Sequence, residues 1–346
     1  MLFLIYKPPP LHGAALNGSQ LMSVYRSKEH SFINIGLSGS SSDIGKLRLD
    51  KIRVLLSIII ELVGELLSGR HTKIYFSHTI RNSGFYRDLI IISLIKIISP
   101  KVRIVYHIHN CSNRIESNSK LLNQFLYSSS KVIYLSNRFY SNSFPSTTKL
   151  YTLPNYTEFS VSMRNDLSFY SLVCVANFDR FKGIDTLLLA FQRLIEISPE
   201  YHLSLVGAEG DISLGELSGY LGSLGIDSNV TIYHQISHKE VQKVLLNSSI
   251  MILSSKDEAM PMSLIEGCSL GLALISTDVG ATSEIVRADY NGYIIDGSAE
   301  SIVEKVICYN NQLDLLKMHS FNSIRLAKEK FNKSEYFKVL NKIVDE

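Results

Sequence analysis

The sequence predicts an α/β protein of two domains, each a parallel sheet with helices on both faces. Short apolar runs rich in Val, Ile and Leu alternate with amphipathic stretches along the chain, the order that puts parallel strands at the centre and helices outside. A length of 346 residues favours two cores over one. A hydrophobic content of 45% is enough to fill both.

The first strand, 2–6, ends at Pro8, Pro9 and Pro10. Gly13, Ala14 and Ala15 then allow backbone to approach a ligand closely before a helix that begins near Ser19. A second strand covers 32–35, and the Ser and Gly cluster of 38–45 is an exposed loop. Residues 46–67 form a long helix whose start sets Lys46, Arg48, Lys51 and Arg53 beside Leu47, Leu49, Ile52, Leu55 and Leu56. That mixture suits a helix covering a sheet or one lying at an anionic bilayer surface. Strands at 73–77, 102–109, 131–135 and 150–153 follow, separated by helices at 86–98 and 120–129. His107 and His109 end one of these strands and, two apart, share a face at the carboxyl end of the sheet, where ligands of parallel sheets collect. A metal site here would draw on Cys111 or Glu116, the nearby ligand types.

Residues 159–168 are polar and patternless, as in a linker. The second set of strands runs through 171–175, 202–206, 230–233, 250–253, 272–276 and 293–295, with terminal helices at 301–310 and 313–344. Ile184, Leu187, Leu188, Phe191, Leu194 and Ile195 keep helical spacing, so Lys182 and Gly183 stand at a helix start, where an ammonium and the helix dipole together attract a diphosphate. No G-x-G-x-x-G fingerprint occurs, which argues against a dehydrogenase.

Between the strand at 250–253 and its following helix, Glu258 and Glu266 stand eight positions apart with Pro261 between them. Pro261 fits the first helical position, where its missing N–H costs nothing, and Leu264, Ile265, Cys268 and Leu270 give the helix an apolar face. Free N–H groups at Met262, Ser263 and Leu264 form a seat for a phosphate ester at the positive end of the dipole. Carboxylates accept hydrogen bonds from sugar hydroxyls, so a phosphate seat flanked by two of them fits a nucleotide sugar. The alternative is a pair of solvated glutamates around an ordinary helix start.

This stretch resembles the E-x7-E motif of the family 4 glycosyltransferases, retaining enzymes of the GT-B fold. The Gly271 turn, the strand-like 272–276 and the loop from Asp278 to Glu284 continue the likeness. The resemblance implies two Rossmann-like domains whose parallel sheets face a central cleft. An acceptor-binding domain would occupy 1–158, a nucleotide-sugar-binding domain 169–320, and a C-terminal helix within 321–346 would return to the first domain. It implies transfer of a sugar from a nucleoside diphosphate sugar to a hydroxyl of a glycan or lipid-linked acceptor, as in bacterial surface polysaccharide and lipopolysaccharide assembly. By the same likeness Glu266 holds the ribose hydroxyls, Glu258 holds the donor sugar, and His109 contacts that sugar or its phosphate. Gly13 belongs to a loop near the donor phosphates or the acceptor, Lys182 stabilises the departing diphosphate, and His107 is structural. The family usually carries an arginine five residues before the lysine. Asn177 stands there instead, so either Arg180 supplies the second cation or Asn177 supplies a hydrogen bond alone.

No Asp-x-Asp pair occurs, so the leaving group is expected to rely on protein charge and helix dipoles, with no metal or other cofactor. The four cysteines, scattered without a C-x-x-C, suggest no disulfide framework and a reducing cytoplasmic setting. The first residues carry too short an apolar run for a signal peptide, and no run is long enough for a membrane span. Charge is divided: residues 1–150 hold 19 Lys and Arg against 7 Asp and Glu, and residues 151–346 hold 16 against 25. A basic first half suits peripheral contact with the inner face of an anionic membrane. Two other classes are the alternatives. A non-catalytic nucleotide-sugar-binding protein would keep Lys182 and Glu266 without needing Glu258 and His109. A nucleic-acid-binding protein would use the basic half, but that half lacks a stacking motif and the acidic half would repel phosphate, so no nucleic-acid partner is expected.

Overall fold

A computed structural model describes residues 1–8, 13–26, 29–37, 49–80, 82–109, 118–161 and 163–346. They form two compact units, one of residues 1–154 with 338–346 and one of residues 155–337. In the first unit β1 (Leu2–Ile5), β2 (Ser31–Asn34), β3 (Lys73–His78), β4 (Arg103–Ile108), β5 (Lys131–Tyr134) and β6 (Lys149–Thr152) are parallel and lie in the order β2-β1-β3-β4-β5-β6. Strand β1 is buried on both faces, which is why it reads as an unbroken apolar run. Helices α1 (Gly13–Val24), α2 (Leu49–Leu67), α3 (Asn82–Ile98) and α4 (Lys120–Tyr127) accompany them. Leu4, Ile33, Ile58, Phe76, Ile91 and Tyr106 belong to the shared core.

Two of these helices begin earlier than sequence pattern indicates, and glycine is the reason in each. Helix α1 starts at Gly13, not near Ser19, and runs through Gly18, where a Cβ would sit 1.9 Å from the Tyr6 carbonyl oxygen. Helix α3 starts at Asn82, not Tyr86, and Gly84 in its first turn lies where a Cβ would be 2.8 Å from the Thr79 methyl. A glycine lowers helix propensity, yet close packing of a helix against a strand end selects it.

In the second unit β7 (Ser171–Val175), β8 (His202–Gly207), β9 (Val230–His234), β10 (Ile250–Leu253), β11 (Ala273–Thr277) and β12 (Gly292–Ile295) form a parallel sheet in the order β12-β11-β10-β7-β8-β9. The chain therefore reverses its direction of travel across the sheet between β7 and β10. Helices α5 (Ile184–Ile197), α6 (Leu214–Leu224), α7 (His238–Leu246), α8 (Met262–Ser269), α9 (Thr282–Ile285), α10 (Ala299–Ile307), α11 (Leu313–Lys330) and α12 (Lys333–Asp345) complete the chain. The core includes Leu172, Phe178, Leu188, Phe191, Ile252 and Ile275.

The single terminal helix expected over 313–344 is two helices. Phe331 turns inward, only 2% exposed, its carbonyl accepts the Thr157 N–H at 3.3 Å, and Asn332 bridges to Thr157, so the helical ladder is given up at this point for a tertiary one. Pro261 also falls one position earlier than expected, at the N-cap of α8.

The described residues of 159–168 form neither helix nor strand, but Arg164 ties them to the second sheet. Its buried guanidinium donates to the main-chain oxygens of Leu246 at 2.6 Å and Ser248 at 2.8 Å. Arg164→Ala removes the donor for both acceptors and is expected to lower the unfolding free energy by about 2–4 kcal/mol. Urea denaturation measures it; a loss below about 0.5 kcal/mol, the range of neutral surface changes, would show that the anchor contributes little.

Candidate functional site

The residues singled out in the second half of the sequence gather where β7, β10 and β11 end, beside the reversal in strand order, the place where open parallel sheets bind ligands. After β7 the buried Phe178 leads into a short 3-10 turn, Arg180–Lys182, which closes on Gly183 with φ of 71°. A Cβ at Gly183 would stand 2.2 Å from the Ser254 carbonyl oxygen, so only glycine lets this turn lie flat against the end of β10. The Ser254 hydroxyl donates to the Gly183 carbonyl at 2.9 Å, and the Lys256 N–H to the Phe181 carbonyl at 2.7 Å. On the other side Gly280, φ 59°, leaves room for the carbonyls of Glu258 and Ala259, and the Ala281 N–H donates to Ala259 at 2.7 Å.

Held between these two turns, Glu258 meets Lys182. The Lys182 Nζ lies 2.8 Å from Glu258 Oε1, which also accepts from the Ser255 hydroxyl at 2.8 Å. The two side chains are 19% and 10% exposed, a shielded pair whose attraction exceeds that of a surface ion pair. Two residues that are 76 positions apart in the sequence thus form one charged unit.

Glu266 projects from the second turn of α8 and is buried. Its Oε1 accepts from His238 Nε2 at 2.7 Å. His238 is the first residue of α7, set there by a capping box in which Ser237 and Glu240 bond reciprocally, and its ring stacks on Phe159 with centroids 4.4 Å apart. The hydrogen bond to Glu266 raises the His238 pKa above its ordinary value, burial opposes this, and the charges of Glu266 and Glu158 add to the rise. His238 and Phe159 did not stand out in the sequence; the Ser237-x-x-Glu240 signature was the available signal for the helix start. At the head of α8, Pro261 offers no side-chain cap, so Met262, Ser263 and Leu264 present first-turn N–H groups without one. Leu264 is wholly buried, so only its main chain can meet a ligand.

Arg180 is exposed, its N–H bonds Asp211 at 2.6 Å, and its side chain acts on Glu216, whose carboxyl is held low by Ser213 first and Arg180 last. Asn177 is half-buried in the same loop. Gly13 and His109 belong to the first unit. Gly13 opens α1, so it is a helix start and not part of the preceding loop; of that loop, residues 9–12 lie outside those described. His109 follows β4, and its ring stacks on His107 at 4.1 Å. His107 is fully buried and bonds the Tyr75 hydroxyl through Nδ1; burial, then the neighbouring His109, push its pKa well down, so it stays neutral. Cys111 and Glu116 lie outside the described residues. Among the described residues no cluster of three or more His, Cys, Asp or Glu could hold a metal ion.

A second polar cluster, unread in the sequence, lies under the reversal of the first sheet. Arg87, buried in α3, donates to Asp88 at 2.7 Å, to the Ile35 carbonyl at 2.7 Å and to the Tyr6 hydroxyl at 2.7 Å. Asp88 also accepts the Thr79 N–H at 2.7 Å and meets His78 at 3.0 Å. Tyr6 and Thr79 follow β1 and β3, so this buried network joins the two strand ends that flank the reversal.

Residues 158–315 match the family described as glycosyl transferases group 1. Spore coat protein SA of Bacillus subtilis is 26% identical over 141 residues, 38% of this chain and 37% of that protein. Lipopolysaccharide 1,6-galactosyltransferase of Escherichia coli is 25% identical over 170 residues, 48% of this chain and 46% of that protein. The chain thus spans less than half the length of these curated relatives. Among solved structures, Anabaena HepE in complex with UDP superimposes with a TM-score of 0.75 at 15% identity, covering 99% of both chains. The chain carries a glycosyl transferases group 1 domain in an α/β fold of the GT-B class.

Proposed function

We propose that this protein transfers a sugar from a nucleoside diphosphate sugar to a hydroxyl of a glycan or lipid-linked acceptor, with retention at the anomeric carbon. The observation that carries this is the Lys182–Glu258 pair at the strand reversal, with Glu266 and the uncapped start of α8 on the segment that follows. A diphosphate arriving at Lys182 competes with Glu258 for the ammonium and is drawn by the N–H groups of Met262, Ser263 and Leu264. Glu258, released, accepts from sugar hydroxyls, and Glu266 accepts from those of the ribose. As the bond to the anomeric carbon breaks, charge grows on the leaving oxygen, where fixed positive groups lower the barrier. His109 is assigned to the donor sugar or its phosphate, and Arg180 or Asn177 to the diphosphate.

A bacterial surface polysaccharide role is supported by the relative named for lipopolysaccharide galactosyl transfer. Work at the cytoplasmic face of a membrane is supported by the basic first half and by α2. Lys46 and Arg48 lie outside the described residues, but Arg53 is exposed on α2 next to Ile52, Val54 and Leu56, with Ile60 at 73% and Leu67 at 72% exposure further along. No helix among the described residues is long and apolar enough to cross a membrane.

Thermal shift and slow donor hydrolysis against UDP-glucose, UDP-N-acetylglucosamine and GDP-mannose test the assignment. Stabilisation by at least one with release of nucleoside diphosphate is expected; silence across a wider panel would sink it. With the donor known, Glu266→Ala is expected to weaken nucleotide binding by about 1–3 kcal/mol. Glu258→Ala lowers turnover while diphosphate binding holds or tightens, since Lys182 is freed. Equal nucleotide affinity in wild type and Glu266→Ala refutes the division of labour.

Activity is expected to survive excess chelator, and Lys182→Ala to lose about 3 kcal/mol of transition-state stabilisation. Activity abolished by chelator and restored by magnesium or manganese would overturn the metal-free reading. The protein should bind anionic vesicles at low salt, leave them at high salt and ignore neutral ones. Lys46, Arg48, Lys51 and Arg53 changed together to glutamine should weaken binding, at about 1 kcal/mol per charge near the surface. Wild type that ignores anionic vesicles at low ionic strength removes the membrane role.

A further inference from the structure

We propose that His238 is the positioning residue of the nucleotide site: it pins the Glu266 carboxylate through one oxygen, leaving the other for ligand hydroxyls, and its charge makes nucleotide affinity fall as pH rises. This rests on Glu266 being the carboxylate that accepts from the ribose. Glu266 is buried, and a buried carboxylate needs a donor at each oxygen that a ligand does not satisfy. His238 Nε2 supplies it at 2.7 Å. A carboxylate only accepts, so the proton resides on Nε2 whether the ring is neutral or cationic, and the bond outlasts the titration.

The ring cannot swing away freely. Its helix start is capped by Ser237 and Glu240, and one ring face lies on Phe159, itself buried. Yet the His238 side chain is 35% exposed, so protons exchange with solvent. The charged groups around it are few. Glu266 faces it from α8, and Glu158 acts on it from the segment before Phe159 while bonded to Lys333. Glu240 on its own helix is bonded to Ser237, and the positive end of α7 opposes the imidazolium. The Glu266 bond outweighs the burial of the ring, and the charges of Glu266 and Glu158 add to it, so the titration lies above the ordinary histidine value.

When His238 is protonated, the His238–Glu266 pair is neutral. When it is neutral, Glu266 faces the ligand as an uncompensated negative charge. A nucleotide sugar brings two negative phosphate charges that do not titrate in this range. Repulsion between these charges and Glu266 therefore outweighs any stronger hydroxyl contact to a bare carboxylate. By linkage the anionic ligand favours the imidazolium, so affinity is higher below the His238 pKa and drops above it. One unit charge acting on two at ~8 Å in a water-like dielectric corresponds to about a fivefold change.

The experiment measures binding of UDP-glucose, or of GDP-mannose if the screen selects guanine, by calorimetry from pH 5.5 to 8.5. Wild type is expected to lose about fivefold. His238→Gln keeps an N–H toward Glu266 but does not titrate, so its affinity should be flat and close to the wild-type value at high pH. His238→Ala leaves Glu266 without its donor and should bind more weakly at every pH. In ligand-free protein the His238 ring resonance should titrate above the ordinary value, and Glu266→Gln should bring it down. A flat wild-type profile, an unchanged slope in His238→Gln, or a His238 titration indifferent to Glu266→Gln overturns the proposal even when nucleotide binds. No binding by wild type at any pH overturns the glycosyltransferase reading together with it.

Discussion

The contact between Gly183 and the Ser254 carbonyl is the constraint on which the second unit's site depends. Strands β7 and β10 are neighbours in the sheet but are separated by two intervening strands in the chain, and the turn after one must lie on the end of the other. Any Cβ at Gly183 would meet a carbonyl oxygen at 2.2 Å, so the left-handed glycine is required by packing and by backbone conformation at once. From that contact follows the reach of Lys182 to Glu258. The loop carrying Glu258 is then braced from the far side by Gly280, and α8 leaves it in a direction that brings Glu266 to His238.

The two sheets meet the same demand with different chemistry. In the first, the ends of β1 and β3 are joined by the buried Arg87, Asp88 and His78, a network whose removal in part would strand a charge in a low dielectric. In the second, the corresponding strand ends are joined mainly by main-chain contacts at glycines, which leaves the charged side chains of Lys182 and Glu258 partly accessible and able to exchange partners. A fully satisfied buried network suits a scaffold. A shielded ion pair that keeps some solvent contact suits a ligand site, because a polyanion can replace one partner without leaving the other unsolvated.

Part of the basic surplus of the first half has a structural use. Lys73, Arg103, Lys131 and Lys149 begin four adjacent strands. Lys73 pairs with Asp345 at 3.4 Å and Lys131 donates to the Ile343 carbonyl at 2.5 Å, so this row faces the carboxyl end of α12, where the helix dipole is negative. On α2, Arg53 is exposed beside apolar side chains that are exposed as well.

Sequence alone determined the class of fold, because strands buried on both faces are mostly apolar and alternate with helices along the chain; β10 and β7 were legible to the residue. It also indicated Lys182, Gly183, Glu258 and Glu266, since a lysine and glycine at one helix start and two carboxylates around a proline at another are local patterns. What it left open was set by contacts between segments far apart in the chain. The early start of α1 follows from the Tyr6 carbonyl, and the break between α11 and α12 from Thr157 pairing at Asn332. Arg164 read as a linker residue, because nothing local marks it as the donor to two buried carbonyls. His238 carries no local signal for the same reason. Its role is decided by a glutamate 28 positions later that only the packing of α7 against α8 brings to hydrogen-bonding distance.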